Sequence, residues 1–201
     1  TIVTNKGLQE HVEKNGGKAF ILQDKIPAIP VRPSKELGKG FNLLFICSYG
    51  DDEPYEKVFE AARKLAPEVH IYVTGNYRKK DIDTASVPGN VTLLGYVSED
   101  QYVEMLNSVD ATIDLTTRED CLVCGAYETV AVEKPQILSN TKALRSYFHK
   151  GVIYTEHTAQ DIAVSVQQLI DEKERLKREA VELKRHLKNE WEKRRQTLET
   201  H

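Results

Sequence analysis

Residues 41–48 read FNLLFICS, and six of these eight residues are apolar. A run this apolar is typical of a strand that is buried on both faces, as strands are in a parallel sheet. Further strands are predicted at residues 69–74, 91–94, 111–115, 135–138 and 152–154, and helices at 54–65, 98–107, 122–132 and 142–148. Ser98 and Gln101 are spaced to form a capping box at the start of one helix. The alternation predicts βαβ units and an α/β fold, a parallel sheet with helices on both faces.

The residues before this sheet predict a smaller unit. Two short strands are expected at residues 2–4 and 19–22, with a helix at residues 6–14 between them. Residues 24–40 hold three prolines and two glycines, a density that predicts an extended linker. The predicted divisions are the remnant of another domain at 1–23, a linker at 24–40, the sheet domain at 41–157 and a helical tail at 158–201.

Both ends of the chain support expectations. The chain begins at Thr1 in strand-like sequence without a methionine. We therefore expect a piece of a longer protein, with a processed amino terminus as the alternative. The tail predicts an amphipathic helix whose apolar stripe packs on its own domain or on a missing one, with a coiled-coil dimer as the alternative. The stripe consists of Leu176, Ala180, Leu183, Leu187, Trp191 and Leu198.

The composition excludes several classes of protein. Lys and Arg total 28 against 31 Asp and Glu, a net charge of -3. This balance argues against a nucleic-acid binder that relies on a basic field. No run approaches the length of about 18 apolar residues that a membrane span needs. Three cysteines form no disulfide framework, which favours a reduced, cytoplasmic location.

Ligands bind an open parallel sheet outside the carboxyl ends of its strands. Glycine follows three of the predicted strands and lets a ligand approach the backbone, although tight connections require glycine equally. The sequence contains no GxGxxG motif, and the absence of GxxxxGK[ST] argues against a P-loop NTPase. Gly50 is followed by Asp51-Asp52-Glu53, an acidic loop that is a poor place for a pyrophosphate.

The segment 118–128, REDCLVCGAYE, is the richest in chemistry. Glu119, Asp120 and Glu128 are spaced carboxylates, which accept hydrogen bonds from sugar or ribose hydroxyls. Glu119 and Asp120 could instead simply cap the helix that this segment opens. The residue types leave both interpretations open.

The cysteines and histidines in the sequence form no recognisable reactive cluster. Cys121 and Cys124 form a lone CxxC, and a zinc site needs two further ligands at partner spacing. A redox role is disfavoured because no Trp or Pro flanks the pair. We therefore predict buried cysteines. The six histidines form no local ligand pair.

Several loose motifs occur together in order. Residues 90–98, NVTLLGYVS, resemble an NV-x-x-x-G-x-V strand and loop, and residues 125–128 with Lys134-Pro135 and Ser139-Asn140 resemble an EA…G-x-P-x-I-x-S block. Trp191 resembles a closing aromatic in the terminal helix. From about Asn42 to Trp191 the chain resembles the carboxyl-terminal, donor-binding domain of GT-B glycosyltransferases, closest to the retaining family 4, or group 1.

The resemblance implies one half of a GT-B architecture, with a Rossmann-like sheet domain and a long carboxyl-terminal helix. It also implies a hexosyltransferase that moves a sugar, with retention, from a nucleotide-sugar donor to a glycan or lipid-linked acceptor in polysaccharide synthesis. No metal or cofactor is expected, nucleic acid is not a partner, and peripheral membrane association stays open. The acceptor would bind a missing domain, so we expect this chain alone to be inactive.

The resemblance assigns roles to individual residues. The E-x7-E spacing of the family matches Asp120 to Glu128, so Asp120, with Glu119 beside it, would act near the transferred sugar. Glu128 would hold the ribose. The remaining donor-binding residues would be Ser48 and Gly50 under the diphosphate, Gly75, and Tyr96 with Val97 around the base.

The sequence also departs from the family. The Lys-Gly position falls at Glu53-Pro54, and residues 48–56 contain no Lys or Arg. A departing diphosphate needs positive charge, which Arg118, Arg145 or the missing half would have to supply. Cys121 replaces a glycine, and residues 122–123 replace Phe-Gly.

Two alternatives to a glycosyltransferase remain. A nucleotide-sugar epimerase of the same fold would need a histidine in the cleft, and His149 is the candidate. A non-catalytic module would bind a nucleotide sugar, or would contact a partner through the stripe at residues 176–198.

Overall fold

The computed structural model describes residues 1–199 and contains a small lobe and a larger one. The small lobe consists of strand β1 (Ile2–Val3), helix α1 (Lys6–Lys14) and strand β2 (Phe20–Ile21). The two strands pair in parallel. The side chain of Asn5 caps α1 by accepting the N–H of Leu8 at 3.1 Å. Residues 22–38 then run without helix or strand, and the domain boundaries inferred from the sequence remain predictions.

The large lobe alternates strands and helices as the sequence predicts. Its elements are β3 (Phe41–Phe45), α2 (Tyr55–Ala62), β4 (Val69–Thr74), β5 (Val91–Gly95), α3 (Glu99–Ser108), β6 (Ala111–Asp114), α4 (Cys124–Ala131), β7 (Gln136–Ser139), α5 (Lys142–Tyr147), β8 (Val152–Thr155), α6 (Ala159–Asp171) and α7 (Lys173–Glu199). The sheet has six strands in the order β5-β4-β3-β6-β7-β8, all paired in parallel. The predicted α/β class is confirmed.

The centre of the sheet explains why the opening run decides the fold. Every residue of β3 is buried, and Leu43, Leu44 and Phe45 are completely so. The side chain of Leu43 joins the core cluster of one face and that of Leu44 the cluster of the other, because successive side chains of a strand point to opposite faces. The predicted capping box between Ser98 and Gln101 is also formed at the start of α3.

The tail forms two helices instead of the single one predicted, because α6 ends at Asp171 and Glu172 separates it from α7. The stripe packs on its own domain, as expected: Leu176, Ala180, Leu183 and Leu187 are buried. These four buried residues are therefore not free to contact a partner, which disfavours the version of the non-catalytic alternative that uses the stripe. Thr200 and His201, the last residues of the predicted tail, lie outside the described part.

Helix α7 also connects the two lobes. The Trp191 indole Nε1 donates a hydrogen bond to the carbonyl of Gln23 at 3.0 Å, and Lys25 lies 5.0 Å from the centre of the Trp191 ring. Trp191 thus anchors the segment that follows the small lobe to helix α7 of the large one. No helix within residues 1–199 combines the length and apolar character needed to cross a membrane.

Candidate functional site

The strand order locates the candidate cleft. From β3 the chain proceeds outward through β4 to β5, then returns across the sheet to β6 on the other side of β3. Ligand crevices in open α/β sheets lie at such a reversal, outside the carboxyl ends of the strands. The loops that follow β3 and β6 therefore form the walls of the site.

The turn after β3 is held by hydrogen bonds to the carboxylate of Glu53, a residue of the same loop. The Glu53 carboxylate accepts the backbone N–H of Gly50 at 2.6 Å and that of Ser48 at 2.9 Å. The Ser48 hydroxyl donates to the same carboxylate at 3.1 Å. Tyr49 adopts a positive φ of 62°, an uncommon conformation for a non-glycine residue. This turn brings the N–H groups of Ser48 and Gly50 onto one carboxylate.

The other two acids of this loop pair with neighbouring elements. Asp51 lies 2.5 Å from the Lys80 ammonium, and that hydrogen bond lowers the pKa of Asp51. Asp52 accepts a hydrogen bond from the Thr116 hydroxyl at 2.7 Å and lies 3.4 Å from the Arg118 guanidinium. Asp52 therefore ties the loop after β3 to the loop after β6.

Asp114, at the end of β6, is a site residue that the sequence reasoning missed. It is buried, and its carboxylate faces the backbone N–H groups of Gly125 and Ala126 at the start of α4. Burial, followed by the charges of Glu53 and Glu128, raises its pKa well above the ordinary value. A Cβ on Gly125 would lie 2.5 Å from the Asp114 Oδ2, so glycine is required for this close approach.

Glu128 lies half-buried on α4 and is held by a neutral partner. The Tyr102 hydroxyl, on α3, donates a hydrogen bond to its Oε2. Burial, then the charge of Glu128, raises the pKa of Tyr102, so the phenol stays protonated and acts as a donor. Within residues 1–199 the Glu128 Oε1 accepts no hydrogen bond, which leaves it able to accept one from a ligand hydroxyl. Tyr102 was missed because its partner is 26 residues away in the sequence.

Glu119 and Asp120 do not cap α4, so that interpretation is wrong. The residue preceding α4 is Val123, which provides no side-chain cap. Instead, Glu119 accepts the backbone N–H of Lys142 at 2.7 Å, at the start of α5. Asp120 lies at the small lobe, where a Cβ on Gly7 of α1 would be 2.1 Å from its Oδ1.

The interaction of Asp120 with the small lobe also involves its backbone. The Asn5 amide donates to the Asp120 carbonyl at 3.0 Å, and Asn5 itself is buried. The side chains of Glu119 and Asp120 are both exposed. Each therefore connects the loop after β6 to the start of another helix.

The loops after β4 and β5, with the end of β5, line an open cavity of about 370 Å³. It is lined by Asn76, Tyr77, Arg78, Leu93, Leu94, Gly95 and Tyr96. Tyr96 is 88% exposed, and Val97 beside it is half-buried. Gly75 has a φ of +92°, and a Cβ there would lie 2.2 Å from the Cys47 carbonyl oxygen, so the loops after β3 and β4 touch.

The cations near the cleft differ in their partners. Arg118 pairs with Asp52. Arg145 donates to the Asn140 Oδ1 at 2.8 Å and stacks 4.5 Å from the centre of the Tyr154 ring. Arg78 is exposed, lines the cavity, and makes no ion pair within residues 1–199. Arg78 is thus a cation with no competing carboxylate partner, and the sequence reasoning did not single it out.

The histidine expected for an epimerase is in the wrong place. His149 precedes β8 and faces His186 with ring centres 5.3 Å apart, at the amino edge of the sheet. His157 follows β8 at the carboxyl edge, and its Nε2 lies 2.7 Å from the Ser139 hydroxyl oxygen. Burial lowers the pKa of His157. Ser139 is completely buried, so this pair joins two loops and offers no accessible nucleophile.

The cysteine prediction holds only for Cys47, which is buried. Cys121 is half-buried and Cys124 is exposed, because α4 begins only at Cys124 and the residues before it lie in the loop. Partial burial raises the pKa of the Cys121 thiol. That thiol therefore stays protonated at neutral pH, which disfavours metal binding and redox exchange.

Most of the chain matches the sequence model of one protein family. The model described as glycosyl transferases, group 1, matches residues 32–189. The chain belongs to this family. The resemblance inferred from the sequence motifs is thereby confirmed at the level of the family.

Solved structures confirm the fold of this group 1 glycosyltransferase chain as half of a GT-B architecture. HepE from Anabaena, crystallised with UDP and glucose, matches at TM-score 0.80 and 13% identity, with coverage of 99% of this chain and 61% of HepE. Sucrose-phosphate synthase from Thermosynechococcus elongatus matches at 0.79 and 13%, covering 99% and 56%. A glycosyltransferase from Rickettsia africae matches at 0.78 and 12%, covering 99% and 62%.

The low identity and partial coverage of these matches limit which properties of the matched proteins can be assigned to the group 1 chain. It spans less than two thirds of the length of each of the three structures. No curated protein matches it in sequence. Fold and family are established, whereas substrates and individual roles rest on the geometry above.

Proposed function

We propose that this chain is the nucleotide-sugar-binding half of a retaining hexosyltransferase that acts on a glycan or lipid-linked acceptor. The observation that carries the proposal is the half-buried Glu128 carboxylate, which Tyr102 orients while Oε1 stays open to a ligand. A carboxylate oxygen held in this way is a strong acceptor for ribose hydroxyls. The presence of UDP in the HepE structure supports a uridine nucleotide as the donor to test.

The other proposed roles are assigned from the positions of the residues around the cleft. The cavity beside Tyr96 and Val97 suits the base, and Gly75, which lets the loop after β4 approach Cys47 of the loop after β3, lies between the proposed base and diphosphate positions. Ser48 and Gly50 lie on the side of the diphosphate. Asp120, with Glu119 beside it, would act near the transferred sugar, and the contact of Asp120 with the small lobe supports a position between the lobes.

Arg78 is proposed to supply the positive charge that residues 48–56 lack. A diphosphate leaving group is stabilised by cations placed where negative charge develops. Arg78 reaches the cavity without a carboxylate partner, whereas Arg118 is shared with Asp52. A guanidinium also binds phosphate in a bidentate manner.

Acceptor recognition is proposed to need a domain that is not part of this 201-residue chain, so that the chain by itself binds donor weakly and transfers no sugar. That it works in the cytoplasm, and without a bound metal or organic cofactor, stays a prediction from the sequence. A non-catalytic nucleotide-sugar-binding module remains the second candidate. Detectable transfer by the isolated chain would contradict the proposed division of labour.

Titration of the labelled chain with uridine diphosphate, followed by amide NMR, tests the proposal. We expect the amides near Tyr96 and Glu128 to shift, and the substitution Glu128→Ala to abolish the response. Glu174→Ala, on the exposed side of α7, is the matched control and should leave the shifts unchanged. Equal responses in the two variants would overturn the assignment of Glu128.

A further inference from the structure

The loop after β3 holds an anion of its own. We propose that Glu53 determines how strongly the cleft binds phosphate, because its carboxylate occupies the N–H groups of Ser48 and Gly50 that a phosphate would otherwise use. The inference deepens the proposed function and rests on it for the identity of the ligand. A phosphate would have to displace Glu53 to reach these donors.

The geometry is that of an occupied anion site. Two backbone N–H groups and the Ser48 hydroxyl converge on one carboxylate, with contacts from 2.6 to 3.2 Å. The Cys47 thiol adds a fourth donor at 3.5 Å. Successive N–H groups that turn toward one point form a concavity that binds anions. Here the anion is the carboxylate of Glu53, three residues after Gly50 in the same chain.

The surrounding charges make the displacement of Glu53 unfavourable for a phosphate. Glu53 forms no ion pair within residues 1–199, so donor groups of its own loop stabilise its charge. The cations that pair with this loop bind its other two acids, Lys80 with Asp51 and Arg118 with Asp52. A phosphate that arrives while Glu53 is in place meets a carboxylate where the family resemblance leads us to expect a lysine.

A purely structural role for Glu53 makes a different prediction. If the carboxylate only stabilised the turn, its neutralisation would loosen the loop and leave the affinity for phosphate unchanged or lower. If it occupies an anion site, neutralisation weakens its hold on the same N–H groups, so an external anion displaces it more easily. The two roles therefore differ in the sign of the change in affinity.

The test compares Glu53→Gln with Glu56→Gln, using inorganic pyrophosphate, uridine diphosphate and uridine as probes. Glutamine keeps an acceptor for the turn, so Glu53→Gln should fold. Glu56 is exposed on the next helix and controls for the simple loss of one negative charge. Glu53→Asp, which keeps the charge on a shorter side chain, provides a second variant. Calorimetry gives the affinities, and amide NMR reports on Ser48 and Gly50.

We expect Glu53→Gln to bind pyrophosphate and uridine diphosphate at least tenfold more tightly than the native chain, with shifts at the amides of Ser48 and Gly50. Glu53→Asp should gain less, and Glu56→Gln should gain less than threefold. Uridine, which has no phosphate, should bind all chains equally. Equal gains in the Glu53 and Glu56 variants, or no gain in folded Glu53→Gln and Glu53→Asp, would overturn the inference.

The same experiment separates this inference from the proposed function. If pyrophosphate distinguishes Glu53→Gln from Glu56→Gln while neither nucleotide nor uridine binds any chain, the occupied anion site stands and the donor assignment fails. If uridine diphosphate binds the native chain through Glu128 while Glu53→Gln changes nothing, the donor assignment stands and the role of Glu53 fails.

Discussion

The loops after β3 and β6 face the same cleft but are stabilised in opposite ways. In the β3 loop, Glu53 accepts hydrogen bonds from Ser48 and Gly50, so the turn is closed within itself. In the β6 loop, Glu119 and Asp120 reach the starts of other helices, one of them in the small lobe. The Ser48–Gly50 turn of the β3 loop is therefore held by contacts within that loop, whereas Glu119 and Asp120 of the β6 loop are held by contacts with other elements, the small lobe among them.

The largest effect is expected at the junction of the β6 loop with α4. Gly125→Ala would place a Cβ 2.5 Å from the Asp114 Oδ2 and 2.7 Å from the Ile46 Cδ1. We expect a loss of about 2 kcal/mol in the free energy of unfolding, measured with urea, because a packed core must shift. Gly89→Ala, where a Cβ meets nothing within 4 Å, should be nearly neutral. Equal losses in the two variants would show that Asp114 is not tightly seated.

A smaller, pH-dependent effect distinguishes two carboxylates of the loops. Burial raises the pKa of Asp114 in the folded state. Its contribution to the free energy of unfolding is therefore complete below the unfolded-state pKa of about 3.8 and is lost as the pH rises through the folded-state pKa. Asp114→Asn should therefore gain stability relative to the native chain as pH increases. Asp51, whose pKa is lowered by Lys80, stabilises the fold only above its folded pKa.

Thermal unfolding between about pH 3 and about pH 8 checks this contrast. Relative to the native chain, Asp51→Asn should lose a little stability as pH rises and Asp114→Asn should gain. If the melting temperatures of Asp51→Asn and Asp114→Asn changed with pH in parallel, the surroundings of Asp51 and Asp114 would not shift their pKa values in opposite directions.

The smallest effects test the contacts of the β6 loop with other helices. Asn5→Ala removes both the cap of α1 and the bond to the Asp120 carbonyl, for an expected loss of about 1 kcal/mol. Glu119→Ala removes one bond at α5, which Thr141 still caps, for roughly 0.5 kcal/mol. Asn5→Ala should also shift the amides around Asp120. A change confined to α1 would mean that the lobes are not coupled there.

The sequence predicts the sheet well because the relevant signals are local. The helix at residues 6–14 and the strand at residues 69–74 have the predicted bounds, and the apolar run at residues 41–48 identifies the central strand. The break at Glu172 escaped prediction because the helical pattern continues through it without proline or glycine.

The candidate site was predictable only in part, since its contacts join distant segments. Glu128 was singled out by spacing, but its orientation depends on Tyr102 of another helix. Asp114 reads as the last residue of a strand, and only the fold brings α4 onto it. Glu53 carries a local signal, an acid three residues after Gly50, but the sequence alone indicates only that the loop disfavours phosphate and not that Glu53 occupies the place of one.

The central claim is that Glu128 binds the ribose of a nucleotide, and calorimetry with two nucleotides tests it most directly. Uridine diphosphate should bind the native chain about tenfold more tightly than its 2′,3′-dideoxy analogue, because a charged acceptor loses its ribose partners. In Glu128→Gln, which can still pair with Tyr102, the ratio should fall below about threefold. The same ratio in both chains, or a native chain that binds the two nucleotides equally, would contradict the account.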